Sequence, residues 1–163
     1  MEVVDVIHDL PIHPTRRYAT RPLAAIERLV LHHAASAEDA TPFDIARFHV
    51  ETRGWPGVAY HYLVAVDGTV YKCHLASTVS YCVAHGNTKS LCICLIGNRD
   101  TLPPSVQQLD AALQLLRDLI AAYHVGLVYG HREVPTDPPQ ATACPGRYID
   151  MDGVRAAVGG RIA

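Results

Sequence analysis

The sequence predicts a single α/β domain, with a central mixed β-sheet of about five or six strands flanked by helices. Short apolar runs rich in branched residues alternate with amphipathic stretches, which is typical of strands and helices around one sheet. Residues 91–96 are apolar without interruption, as expected for a strand covered on both faces. A chain of 163 residues that is 49% hydrophobic also has enough apolar material for one substantial core.

The first 26 residues differ from the rest of the chain, because they contain three prolines and show no sustained periodicity. We expect an extended arm over residues 1–26, followed by the folded domain over residues 27–163. The arm carries Arg16, Arg17 and Arg21, which we interpret as part of an ordinary solvated surface.

The domain begins with a predicted strand over residues 28–32, a short, apolar and branched run that ends on a histidine. A helix should follow. Thr41 can cap its first turn, Pro42 is tolerated at the first helical position, and Gly54 ends it.

Two strand-like runs, residues 60–66 and 69–73, come next. Asp67-Gly68 joins them and is a strong signal for a tight hairpin turn. Residues 91–96 then form a strand that is too continuously apolar to face water, so we place it in the centre of the sheet.

The most regular helix of the chain follows Ser105, which with Gln108 predicts a capping box. The expected buried face is Val106, Leu109, Leu113, Leu116 and Ile120. A last strand over residues 127–130 delivers His131, and Asp150 can open a terminal helix that ends near Gly159.

Charge and composition exclude several classes of function. The net charge of -2 and the pI near 6.5 do not suit a nucleic-acid-binding protein. The N-terminus lacks a basic, apolar leader and no segment approaches the ~20 apolar residues of a membrane span, so we expect cytoplasmic synthesis and no membrane insertion. Five cysteines without a CxxC pattern predict mainly reduced thiols, with Cys73, Cys82 and Cys92 as small buried hydrophobes.

Three residues have the character of zinc ligands at the edges of the predicted sheet: His32, His131 and Cys144. Three protein ligands leave the fourth zinc position open, as in catalytic rather than structural sites. His33 is an alternative to His32, since the two side chains point to opposite faces of one strand. A rival interpretation makes Cys144 a nucleophile with His131 as its base.

The chain resembles a known family over residues 29–158, and the resemblance rests on several motifs in order along the chain. They are Leu29-Val30-Leu31-His32-His33-Ala34-Ala35-Ser36, Gly54-Trp55-Pro56-Gly57-Val58-Ala59-Tyr60-His61-Tyr62, Asp67-Gly68-Thr69-Val70, Ala84-His85-Gly86-Asn87 with Ser90, Gly130-His131-Arg132-Glu133-Val134, and Ala143-Cys144-Pro145-Gly146. The chain resembles the zinc amidases that include the phage lysozymes of the N-acetylmuramoyl-L-alanine amidase type and the peptidoglycan recognition proteins.

The resemblance implies that one zinc ion is bound by His32, His131 and Cys144, and so favours His32 over His33. The family's active-site tyrosine falls on Tyr60, whose phenol would hydrogen-bond the developing oxyanion. Without the resemblance, Tyr60 would be interpreted as an aromatic residue of a strand.

Further residues follow from the same comparison. Thr142 stands where many phage enzymes have lysine, and it can donate a hydrogen bond without bringing a charge. Cys94 stands where certain recycling amidases have a glutamate base. His85 and Asn87 fall in the segment that lines the binding groove of relatives, so we expect them to contact the substrate, with a plain turn as the alternative.

The function implied by the resemblance is hydrolysis of the amide bond between N-acetylmuramic acid and the L-alanine of the peptidoglycan stem peptide. We expect a monomeric phage or prophage endolysin, synthesised in the bacterial cytoplasm without a signal peptide and acting on the cell wall after release. Three alternatives are a peptidoglycan-binding module without catalysis, a cytoplasmic enzyme of cell-wall recycling, and a regulatory protein that binds another macromolecule.

Overall fold

The fold is a single α/β domain with a mixed six-stranded sheet and three flanking α-helices, in a computed structural model that describes residues 3–163. Within those residues the elements follow in the order β1 (Val3–Asp5), β2 (Ala19–Thr20), β3 (Arg28–His33), α1 (Pro42–Arg47), β4 (Tyr62–Val64), β5 (Val70–Lys72), β6 (Thr78–Val79), β7 (Ser90–Leu95), α2 (Val106–Tyr123), β8 (Leu127–Gly130) and α3 (Met151–Val158). No helix in this described part is both long and apolar enough to cross a membrane.

The strand order across the main sheet is β1-β5-β4-β7-β3-β8. Strands β4 and β5 form the predicted antiparallel hairpin, and all other neighbours are parallel. The strand β7 lies in the interior of the sheet and is buried along its whole length, as its sequence predicts. The first strand, β1, extends the sheet from within the predicted arm, and β2 pairs with β6 in a separate two-stranded sheet.

Helices α2 and α3 cover one face of the sheet, where Leu29 and Leu31 of β3 join their core. Helix α2 differs from its prediction in two respects. Its buried face consists of Gln108, Ala112, Leu115, Leu116 and Leu119, whereas Val106, which was expected on that face, is exposed. The side chain of Ser105 does accept from the backbone N–H of Gln108, but the Gln108 amide donates to two carbonyls at the sheet end instead of completing the box.

The opposite face of the sheet carries Val30 and His32 of β3 and is covered in part by α1. Thr41 caps α1 with a complete capping box to Asp44, which confirms the predicted helix start. The helix continues as a π-helical turn over Phe48–Thr52 before Gly54, which has a φ of 65°. Such turns are rare and frequently lie at functional sites.

The expectation that the thiols are mainly reduced is wrong for two of them, because Cys82 and Cys92 form a disulfide. Cys92 points from β7 to the same face as His32, and the loop after β6 lays Cys82 over it. Arg21 is not part of the solvated surface either. Its guanidinium is buried and donates to the carbonyls of Ala76, Asn87, Thr88 and Ser90. These hydrogen bonds fix the arm to the domain.

Candidate metal centre

Parallel pairing brings two of the predicted ligands to one end of the sheet. His32 lies near the carboxyl end of β3, and His131 directly follows Gly130, the last residue of the neighbouring β8. The loop after His131 returns so that the N–H of Arg132 donates to the carbonyl of Cys144 at 2.8 Å. The third ligand therefore meets the first two, as predicted for a loop rich in proline.

The donor atoms of His32, His131 and Cys144 all lie within 4.8 Å of one another. The Nδ1 of His32 is 3.6 Å from the Sγ of Cys144, and the two imidazole rings have centroids 4.6 Å apart. Two imidazoles and one thiolate are typical zinc donors, and around a tetrahedral zinc their donor atoms would lie about 3.3–3.6 Å apart. The residues present therefore fit a zinc ion with one position left open.

The two adjacent histidines point to opposite faces of β3, and His32 is the one that lies beside His131 and Cys144. The side chain of His33 points to the other face of β3, where its Nδ1 accepts the N–H of Arg99 at 3.0 Å. Its backbone N–H contributes to the site by pointing at the Sγ of Cys144, at 3.4 Å. Such a donor favours a thiolate.

Gln140 holds the ring of His131, a contact that the sequence analysis missed. Its Oε1 lies 3.0 Å from the Nε2 of His131, and its amide nitrogen donates to the carbonyl of Ala84 at 2.6 Å. A proton placed on Nε2 by this acceptor leaves Nδ1 with its lone pair free for a metal. No sequence signal distinguishes this glutamine, because it lies in an irregular loop without a motif.

Two charged residues next to His131 fix the backbone of the site. Arg132 donates to the carbonyls of Gly146 and Ile149, and so holds the loop that carries Cys144. Glu133 accepts the N–H of Gly130 at 2.7 Å and pairs with Arg155 of α3 at 2.8 Å. Glu133 is therefore committed to structural contacts with Gly130 and Arg155.

Burial controls the protonation of the three donors. It lowers the pKa of His32 well below 6.5 and also lowers the pKa of His131, so both rings are neutral and suited to a metal. Burial raises the pKa of the Cys144 thiol to about 12, although the N–H of His33 acts in the opposite direction. A divalent cation would supply the positive charge that a thiolate needs here.

Tyr60 joins the cluster, with its ring centroid 5.2 Å from that of His32. Burial, together with the nearby thiols of Cys94 and Cys144, raises the pKa of Tyr60 well above 10, so its phenol is a neutral hydrogen-bond donor. Thr142 lies in the loop, where its hydroxyl oxygen accepts the N–H of Cys144 at 3.1 Å. Thr142 therefore holds the backbone of Cys144 and still has its hydroxyl proton to donate.

The two residues expected to contact substrate lie in the turn that precedes β7. The Oδ1 of Asn87 accepts the N–H of Val83 at 2.7 Å, so part of its side chain closes that turn, as the alternative interpretation holds. His85 is exposed and has a φ of 61°. This turn reaches the metal cluster through the contact of Ala84 with Gln140.

A surface depression between α1 and the end of β3 was not anticipated from the sequence. Ala34, Ser36, Phe48 and His49 are among the residues that line it. The ring of His49 lies 5.7 Å from that of Tyr60, which places the depression beside the metal cluster. The exposed ring of Phe48 gives it an apolar wall.

Comparison with known proteins gives consistent similarities. A family model described as N-acetylmuramoyl-L-alanine amidase matches residues 22–147. Peptidoglycan-recognition protein SC1a of Drosophila melanogaster is 31% identical over 132 residues, which are 74% of this chain and 68% of that protein. An N-acetylmuramoyl-L-alanine amidase of Sus scrofa is 29% identical over 160 residues, which cover 83% of this chain and 25% of that protein. Among solved structures, the Ph2119 endolysin from Thermus scotoductus MAT2119 bacteriophage Ph2119 superposes with a TM-score of 0.79 and 30% identity, covering 98% of this chain and 100% of that chain.

Proposed function

The chain belongs to the N-acetylmuramoyl-L-alanine amidase family, and from that premise we propose that it is a zinc-dependent hydrolase of peptidoglycan. The bond cleaved is the amide between N-acetylmuramic acid and the L-alanine of the stem peptide. The reaction is hydrolytic and releases a free alanine amino terminus together with the intact glycan.

The observation that carries the proposal is the convergence of His32, His131 and Cys144, with donor atoms within 4.8 Å of one another. A cysteine in this set matters, because its thiolate would give a zinc ion one balancing negative charge and complete a donor set typical of zinc. The rival role of Cys144 as a nucleophile has less support, since the thiol is buried and its pKa is raised to about 12.

A zinc ion held by these residues would supply Lewis acidity, which polarises a carbonyl and lowers the pKa of water to about 7. Tyr60 donates its phenol hydrogen to the oxygen of the scissile carbonyl as negative charge develops there. Its raised pKa keeps the proton on the phenol at neutral pH. Thr142 holds Cys144 through its hydroxyl oxygen and can donate its own proton to the same oxyanion.

We assign the substrate to the surface that runs from the metal cluster to the depression beside Tyr60 on one side and to the turn before β7 on the other. The depression beside Tyr60 accommodates one part of the substrate, with Phe48 as an apolar wall. His85 and the amide group of Asn87 contact another part from the turn before β7. The contact of Gln140 with Ala84 couples this turn to the ring of His131.

The biological role proposed is that of a phage or prophage endolysin. The similarity to the Ph2119 endolysin supports it, because 30% identity extends over nearly the whole of both chains. On this proposal the protein is a monomer that is synthesised in the host cytoplasm and hydrolyses the cell wall after release. Cys94, in place of the glutamate of certain recycling amidases, favours this role over cell-wall recycling.

The proposal is tested by incubating zinc-loaded protein with purified peptidoglycan and measuring both new alanine amino termini and new reducing sugars. Alanine termini should appear without reducing sugars, and Cys144→Ala should abolish them. Cys73→Ala is the matched control, since Cys73 is another buried cysteine outside the metal cluster. Release of reducing sugars would identify a glycosidase and refute the proposal.

The second candidate is a peptidoglycan-recognition protein without catalysis, which the similarity to peptidoglycan-recognition protein SC1a favours. A pull-down with insoluble peptidoglycan, run beside the turnover assay, separates the two. Binding by the zinc-loaded protein without any release of alanine termini would establish the recognition role.

A further inference from the structure

A second set of potential metal ligands adjoins the first and shares one residue with it. The sulfurs of Cys82 and Cys92 and a ring nitrogen of His32 all lie within 4.8 Å of one another. All three residues are buried. The two sulfurs are joined in a disulfide, so in this state they cannot act as thiolate ligands.

We propose that reduction of this disulfide creates a second metal site, in which Cys82, Cys92 and His32 bind a borderline divalent cation such as zinc. Because a neutral imidazole has only one ring nitrogen with a free lone pair, His32 can serve one site at a time, and the second site competes with the candidate catalytic centre. The disulfide therefore keeps the metal in the site that has an open position. The metal-binding part of this inference does not depend on the proposed hydrolase activity.

The spacing of the three donors suits such a site. Around a tetrahedral zinc, two thiolates lie about 3.8 Å apart and a thiolate and an imidazole nitrogen about 3.6 Å apart. Both sulfurs already lie within 4.8 Å of a ring nitrogen of His32, and on reduction they would have to separate by about 1.7 Å, from the ~2.05 Å of an S–S bond to the spacing of two thiolates on zinc. His32 also has a ring nitrogen to offer, since its Nε2 is buried and has no hydrogen-bond partner within residues 3–163.

The charge balance favours the second site. Two thiolates, one neutral imidazole and a dication sum to zero, whereas one thiolate with two imidazoles leaves a net charge of +1. Val30, Val83, Tyr129 and Val134 surround the two cysteines in an apolar cluster. A net charge is costly in such surroundings, so the neutral arrangement is preferred once the thiols are available.

The redox step balances with a phosphine reductant. The phosphine is oxidised to its oxide and takes its oxygen from water, while the disulfide accepts two electrons and the two protons of that water to give two thiols. Binding of a dication then releases those two protons to solvent. A cellular dithiol would reduce the disulfide with the same electron balance and become a disulfide itself.

The functional consequence, which rests on the proposed hydrolase activity, is a loss of hydrolysis in reducing surroundings. Thiols stay reduced in the cytoplasm and are oxidised outside it. When Cys82, Cys92 and His32 bind the metal, His32 is no longer available to bind it together with His131 and Cys144. Oxidation of the two thiols returns the metal to His32, His131 and Cys144.

The test uses Cys144→Ala, which removes the thiolate of the first site, with cobalt as a spectroscopic substitute for zinc. The variant is unfolded and refolded with a phosphine so that both thiols are free, as confirmed by thiol counting. We expect a thiolate-to-cobalt charge-transfer band at one equivalent of cobalt in the reduced variant and none in the oxidised one. The band should be absent from Cys82→Ser/Cys92→Ser/Cys144→Ala.

An alkylation experiment on the same reduced variant gives a readout that needs no further substitution. With zinc at ten times its dissociation constant, about one chain in eleven is metal-free, so Cys82 and Cys92 should alkylate about tenfold more slowly than without zinc. Cys73, which lies outside both metal-ligand sets, serves as the internal reference. Equal rates with and without zinc, or failure of the reduced chain to regain its native circular dichroism in zinc, would overturn the proposal.

Discussion

Replacing Gln140 with leucine should weaken zinc binding by about 10- to 100-fold. The Oε1 of Gln140 accepts from the Nε2 of His131 at 3.0 Å, which fixes the proton on Nε2 and the lone pair on Nδ1. Leucine has a similar volume but cannot accept a hydrogen bond. The imidazole would then rotate more freely and populate the other tautomer, in which Nδ1 carries the proton.

The magnitude follows from the contacts that are lost. Gln140 makes two hydrogen bonds, one to His131 and one to the carbonyl of Ala84 at 2.6 Å. At about 0.5–1.5 kcal/mol each, their loss amounts to about 1–3 kcal/mol. A change of 10- to 100-fold in a dissociation constant corresponds to about 1.4–2.7 kcal/mol, so the two estimates agree.

The assay is competition for zinc between the protein and a chromophoric chelator at neutral pH. Gln140→Glu keeps an acceptor for the Nε2 of His131 and should bind zinc more tightly than Gln140→Leu. Gln114→Leu is the matched control, because Gln114 is exposed on α2 and its amide bonds to Asp118 of the same helix, away from the metal cluster. Unchanged zinc affinity in Gln140→Leu would refute the orienting role.

Three further predictions concern catalysis and stability. Tyr60→Phe should lower kcat by about 10²–10³-fold with little change in KM, because it removes one oxyanion donor; unchanged turnover in the peptidoglycan assay would contradict the role of the phenol. Glu133→Ala should reduce the free energy of unfolding by about 1–3 kcal/mol in urea titrations, since Gly130 and Arg155 lose their shared partner; a smaller loss would mean that the pair is not needed. Burial lowers the pKa of His61 to about 3, so between pH 3 and pH 6.5 the unfolded chain binds a proton that the folded chain does not. The stability that neutral His61 contributes is therefore fully present above pH 6.5 and is lost as the pH drops towards 3. The contribution of His61 to that slope is about 1.4 kcal/mol per pH unit, and His61→Asn should flatten the pH dependence of urea unfolding by that amount; parallel curves would refute it.

The sequence predicts the parts of the fold that rest on local patterns. Uninterrupted apolar residues place β7 inside the sheet, and Thr41, Ser105 and Asp150 cap their helices as expected. The three candidate ligands also converge, because parallel pairing of β3 and β8 brings their carboxyl ends together. The convergence of His32 and His131 is therefore expected wherever β3 and β8 are parallel neighbours in the sheet.

Features that depend on tertiary contacts were not predictable in the same way. The pairing of Cys82 with Cys92 requires the fold of the loop after β6, which carries no local signal. Gln108 forms no capping box, because the sheet carbonyls of Val64 and Ile96 offer its amide two better partners. The contact of Gln140 with His131 likewise arises only when the loop closes over the cluster.

The most direct test of the central claim is product analysis on a soluble muropeptide, in which N-acetylmuramic acid carries its stem peptide. The zinc-loaded protein should release the free sugar acid and the free peptide in equal amounts, each identified by mass, and chelation of zinc should stop the reaction. An intact muropeptide, recovered from a protein that holds one zinc and binds this ligand, would contradict the hydrolase and leave a recognition protein.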